Sequence, residues 1–158
     1  MFKRVWNTKI TANDSTAQEE LGAERIEVDA TNRQRRFRYV QAAASVTIRK
    51  GTTLSYSDAQ RTTVTPTIST RVNRPAGVAI GTLTASYYGW AQCGGYHDYV
   101  IGEAGSTYSD GDTITLHAGT NGIAGRVPKG VAAYYKPLGV AVTNTDSSLN
   151  VTCVMLDC

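Results

Sequence analysis

Cys93, His97 and Asp98 stand close together in the stretch Cys93-Gly-Gly-Tyr-His97-Asp98, and they are the side chains here whose types could do chemistry. A thiolate and an imidazole four positions apart could ligate a metal, but structural zinc sites want four such donors, usually in close pairs. The other soft donors are His117, Cys153 and Cys158, and none forms a paired motif. A buried strand cysteine and a surface histidine explain the stretch more simply. Hydroxyls are abundant around it, yet no G-x-S-x-G elbow presents a nucleophile. The 13 carboxylates are scattered, and none pairs for glycosidase work. A phosphate-cradling G-x-x-x-x-G-K-[ST] run is absent. Asp110-Gly111-Asp112 lacks the further acidic ligands of a calcium loop and reads as a hairpin turn. The expectation is a protein without catalytic residues, cofactor or metal.

Two other constellations could bind a macromolecule. Arg33, Arg35, Arg36 and Arg38 interleave with Phe37 and Tyr39, as cations and stacking rings do on nucleic-acid surfaces. Strand alternation, however, sends Phe37 and Tyr39 to one face and Arg36 and Arg38 to the other. The rings then belong to a core, and the arginines form a solvated or protein-facing stripe. Net charge is only +3, too little for tight binding to a phosphate backbone. Tyr87-Tyr88-Gly89-Trp90 is the second constellation: a core strand with Trp90 as its largest filler, or an outward anchor for a protein or a sugar. Gly89 between bulky residues would let an aromatic ring lie across bare backbone.

The elements that must position these residues are strands. Residues 24–29 (ERIEVD) alternate Ile26 and Val28 with charge, predicting one buried apolar face. Residues 35–41 (RRFRYVQ) do likewise, and Lys50-Gly51 marks a turn. The polar run 57–74 is an edge strand or a long loop, because Pro66 forbids a central position. Arg74-Pro-Ala-Gly-Val-Ala-Ile and Lys136-Pro-Leu-Gly-Val-Ala-Val match position by position, which predicts two similar hairpins with a bulge or close backbone approach at each Gly. Residues 16–24 and 127–134 could each form a helical turn. Short strands broken by turns predict a mainly β fold, a single β-barrel or β-sandwich domain over 21–158.

Residues 1–20 differ from the rest. Phe2, Val5, Trp6 and Ile10 stand among Lys and Thr and lead into TANDSTAQEE, too polar to fold alone and expected to extend as an arm. Trp6 either tucks against its own domain or docks on a neighbouring chain. Residues 1–50 hold ten Lys/Arg against six Asp/Glu, a surplus of 4, and residues 51–158 hold six against seven, a deficit of 1. The basic surplus therefore lies wholly in the first third, where it could steer docking on an acidic surface. The odd cysteine count suits a reducing compartment. The opening residues lack the apolar stretch of a secretory signal, and no run approaches the roughly 20 apolar residues of a membrane span.

In their order, LGAERIEVD, RRFRYVQAAASVTIRKGTTL, RPAGVAIGTLTASYYGWAQCGG and a late PLGVAVTN resemble the head decoration (cement) proteins of tailed bacteriophages. The likeness runs from about Leu21 to the C-terminus and rests on short apolar motifs. It implies a β-structured, non-enzymatic protein on the outer surface of the virion capsid, made in the host cytoplasm. It also implies homotrimers that clamp adjacent copies of the major capsid protein. On that basis Phe2, Val5 and Trp6 would anchor the arm on a neighbour. Lys3, Arg4, Arg36 and Arg38 would face acidic capsid surface, and Tyr87, Tyr88 and Trp90 would hold the core or a subunit interface. A tail- or fibre-associated module and a carbohydrate-binding domain are the alternatives.

Overall fold

Twelve strands follow one another in the computed structural model: β1 (Glu24–Val28), β2 (Gln34–Ala42), β3 (Thr53–Tyr56), β4 (Thr63–Thr65), β5 (Pro75–Ala79), β6 (Tyr88–His97), β7 (Val100–Ile101), β8 (Thr113–Leu116), β9 (Ala124–Val127), β10 (Pro137–Ala141), β11 (Asn150–Val151) and β12 (Val154–Asp157). The structure describes residues 5–67, 74–117, 120–128, 130, 136–142, 150–151 and 154–157. Phe2, Lys3, Arg4, Cys153, Cys158 and part of the 57–74 run lie outside them, as do Lys129 and all of 131–135. Among the described residues there is no helix, so 16–24 forms none of the expected turn.

Strands β2, β4, β3, β5 and β6 hydrogen-bond in a closed cycle, making a five-stranded β-barrel. Only the β2–β4 pair is parallel, with Gln41 opposite Thr63 and Ala42 opposite Val64. Closure leaves no barrel edge unpaired. It also corrects the expected edge strand in 57–74, since β4 is bonded on both sides. Pro66 is tolerated because β4 ends one residue before it. Val40, Leu54, Tyr56, Val64, Ala79 and Ala91 fill the interior.

The remaining strands repeat the same cycle of pairings. Gly102 bridges Ala124 in parallel as Ala42 meets Val64, β8 pairs with β9 and β10, β10 pairs with β12, and β11 returns to β7. The correspondence is residue by residue. Thr53, Leu54 and Ser55 face Val78, Gly77 and Pro75, while Thr113, Ile114 and Thr115 face Val140, Gly139 and Pro137. In both sets the ladder shifts by one residue in the strand carrying Pro-x-Gly-Val-Ala, so Ala76 and Leu138 sit at equivalent bulges. The bonds Gly51 N–H to Ala79 O (2.8 Å) and Gly111 N–H to Ala141 O (2.9 Å) match as well. The second interior uses Val100, Tyr108, Ile114, Ala124, Leu138 and Ala141, the counterparts of Val40, Ile48, Leu54, Val64, Ala76 and Ala79.

Asp110-Gly111 is therefore not the tip of a two-residue hairpin. It turns the chain into β8 as Lys50-Gly51 turns it towards β3, and the hairpin partner of β8 is β9 across residues 117–123. The long strand β6 joins the two sets, pairing with β2 and β5 in the first and through Gly94–His97 with β12 in the second.

Candidate functional site

The outer wall of the first barrel carries an aromatic seat for residues 5–20. Phe37, Tyr39 and Trp90 are buried there, with Trp6, Ile10, Leu21 and Tyr88 packed against them. Trp6 meets Trp90 edge-on with ring centroids 5.1 Å apart, and Tyr39 meets Trp90 at the same distance on another side. Such pairs contribute about 0.5–1.5 kcal/mol beyond their area. The Trp90 indole N–H donates to Thr8 Oγ1 at 2.8 Å, and Gln18 N–H donates to the Tyr39 hydroxyl at 3.1 Å. Further along, Asp14 and Tyr88 exchange backbone bonds of 3.0 and 2.9 Å.

The first segment therefore lies on its own barrel over residues 5–20, and Trp6 takes the intramolecular option of the two left open by the sequence. What lies against Gly89 is the Leu83 side chain and the Ala12 carbonyl, the latter 2.6 Å from where a Cβ would stand, and not an aromatic ring. Trp90 is core, Tyr87 and Tyr88 are half-buried, and Val5 points outward at 84% exposure.

Alternation in β1 has the expected period and the opposite sense. Ile26 and Val28 are 64% and 55% exposed, while Arg25 and Glu27 turn towards the first segment. The Arg25 guanidinium donates to Thr8 O at 2.8 Å, sits 5.6 Å from the Trp6 ring centre, and pairs with Glu27. An amphipathic cation with three such partners outcompetes Ile26 for that face.

Across the sheet, Arg38 donates to the Tyr56 hydroxyl at 3.2 Å and to Gly22 O at 3.3 Å, and lies 3.5 Å from Glu24. The Tyr56 hydrogen bond raises its pKa further. Arg36 packs beneath Gly94, whose added Cβ would meet Arg36 Cβ at 3.1 Å. Both arginines are half-buried and engaged by their own chain at the barrel end, in place of a free solvated stripe.

The stretch from Cys93 to Asp98 is largely buried at its two reactive side chains. Cys93 is buried, and burial raises its thiol pKa, against the thiolate a nucleophile needs. His97 is buried, not at the surface, and burial lowers its pKa to about 4. Its Nδ1 accepts from Tyr99 N–H at 3.0 Å. A cavity of about 160 Å³ adjoins it, with Arg35, Lys50 and Asp98 at its wall. That is smaller than ordinary small-molecule pockets, and Arg35 there is tied to Asp29 and Asp98. No group of three or more His, Cys, Asp or Glu side chains that could hold a metal occurs among the described residues.

What the fold and surface define is a closed β-barrel with a chain segment strapped to its wall and, at its margin, a strand that exposes two aliphatic side chains. Comparison with protein-family models, curated proteins and solved structures found no match to this chain. Sequence reading missed the outward Ile26 and Val28, although the even mixing of charge and aliphatic residues in ERIEV was the available signal that either face could be covered.

Proposed function

We propose that the protein is a structural virion component that attaches to the outer surface of an assembled phage capsid and stabilises it by bridging adjacent major capsid subunits. The observation that carries this reading is the placement of the exposed apolar side chains. Val5 stands directly before Trp6, and Ile26 and Val28 lie on β1, whose Arg25 covers Trp6. Exposed aliphatic residues on β1 and at the head of the strapped segment suit protein contact. Trp6 and Trp90 then act as the fastening that presents Val5 and the residues before it. A protein that binds only the expanded shell shifts the assembly equilibrium by mass action, and many copies add their effects.

A carbohydrate platform built on Trp90 gains no support, because Trp6 and Thr8 cover that ring. Co-sedimentation with expanded and immature heads tests the proposal: attachment to expanded heads alone is expected, and particle labelling distinguishes head from tail. Val5→Asp should leave folding intact and weaken attachment about tenfold, the scale expected when one aliphatic side chain is no longer buried on binding. Removing residues 1–10 is a poorer probe, since it strips Trp6, Thr8 and Ile10 from the wall. Undiminished coating of heads by Val5→Asp would exclude this margin from the attachment surface.

A further inference from the structure

We propose that β1 is the seam of a symmetric homodimer, in which β1 of one copy pairs antiparallel with β1 of a second copy about Ile26. This concerns self-association, and it covers Ile26 and Val28 with a second copy, so that Val5 is left as the exposed aliphatic side chain open to the capsid. The first support is the direction of the backbone groups. Tyr39 N–H donates to Ala23 O at 2.9 Å and Asp29 N–H to Arg33 O at 3.0 Å, with Glu24 opposite Arg38 and Val28 opposite Gln34 between them. Bonded and non-bonded pairs alternate in an antiparallel ladder, so Arg25 and Glu27 bond to β2. Glu24, Ile26 and Val28 aim their N–H and C=O groups away from it. Among the described residues β1 has β2 as its only strand neighbour.

The second support is the strand's own complementarity. Two-fold pairing centred on Ile26 uses those outward groups: Ile26 meets Ile26 of the second copy, and Glu24 meets its Val28. On the other face Arg25 stands opposite Glu27 of the second copy, twice by symmetry. Neighbouring centres fail. Pairing about Arg25 or Glu27 needs the groups already bonded to β2 and sets like charges opposite each other. Pairing about Val28 sets Glu27 against Asp29. Only the Ile26 register buries the exposed aliphatics while pairing Arg25 with Glu27 and setting no like charges opposite each other, and an isologous seam of this kind closes at two copies. A trimer would need a different surface.

Five residues a side put the seam at the small end of specific interfaces, with a dissociation constant of about 10 μM or weaker. The test is sedimentation equilibrium of the full chain from about 1 μM to about 1 mM, the range in which such an interface dissociates. Reversible dimers are expected. Ile26→Lys, at an exposed position, should weaken them at least about tenfold with an unchanged circular dichroism spectrum. Glu27→Arg sets arginine against arginine and should weaken them comparably. Ile26→Cys should form disulfide-linked dimers readily, because the opposed Cα atoms would lie about 5.5 Å apart. Val28→Cys should not, because it faces Glu24. A chain that stays monomeric throughout, a trimer, or a dimer indifferent to Ile26→Lys would each overturn the proposal. So would loss of capsid attachment by Ile26→Lys in an otherwise monomeric protein, which would assign the edge to a capsid strand.

Discussion

Val78 and Val140 hold the same position in the two copies of Pro-x-Gly-Val-Ala, with the same bulge before them, yet Val78 is fully buried and Val140 is 40% exposed. The difference lies in what stands behind each strand. Val78 leaves the first interior and joins the second, packing with Val100, Tyr108, Ile114 and Leu138, so β5 is buried throughout. Among the described residues, nothing comparable covers Val140 on β10. A second difference follows the same logic. Phe37 and its counterpart by offset, His97, both line the cavity, but Phe37 alone of the two also packs in the aromatic seat under the strapped segment. Copies of one local pattern share pairing and turns; burial depends on the neighbour.

The largest way to break the comparison is through the seat found only on the first repeat. Trp90→Ala should cost about 3–5 kcal/mol in denaturant unfolding, because it removes a fully buried ring and the partner of Trp6 and Thr8. It should also release the first segment to protease. If its stability changes by less than about 1 kcal/mol, the seat is not a structural element.

The second prediction concerns His97. Its pKa is lowered to about 4 by burial, against about 6.5 in an unfolded chain. Between those values the unfolded state binds more protons, so stability rises with pH. The contribution is complete above pH 6.5 and is lost as pH falls towards 4, with a ceiling of about 3 kcal/mol. His97→Phe, which copies the first repeat, should flatten that part of the stability–pH curve. An unchanged slope in the variant would mean that His97 is solvated.

A smaller and cleaner contrast is Val78→Ala against Val140→Ala. The first should cost about 2 kcal/mol and the second less than about 0.5 kcal/mol. Equal costs would show that an additional chain covers β10 in solution.

Much of this architecture was legible in the residue pattern. Alternation in 35–41 marks Phe37 and Tyr39 as buried, and both are. The Gly of Pro-x-Gly-Val-Ala signals a close approach, and Gly77 adopts φ 119° with the Gln92 carbonyl where a Cβ would stand. The longer repeat, Tyr39-Val40 through Thr53 against Tyr99-Val100 through Thr113, is faint in sequence because equivalent interior positions carry residues of different size, such as Ile48 against Tyr108, with the loss at one position offset at another. Shared hydrogen-bond partners make it plain. For the candidate surface, the importance of Trp6 and Trp90 was legible from their size, but not that one serves as the lid of the other.

The chain alone determined its strand periodicity, its turn positions, the bulged Pro-x-Gly-Val-Ala strands and the aromatic residues that need burial, because each depends on local backbone sterics and side-chain chemistry. Tertiary structure decided which face of β1 looks outward, that β4 closes a barrel, and where residues 5–20 rest. Those outcomes depend on which surfaces meet across long sequence separations. A period of two specifies that a strand has two different faces and leaves the choice between them to whatever packs there.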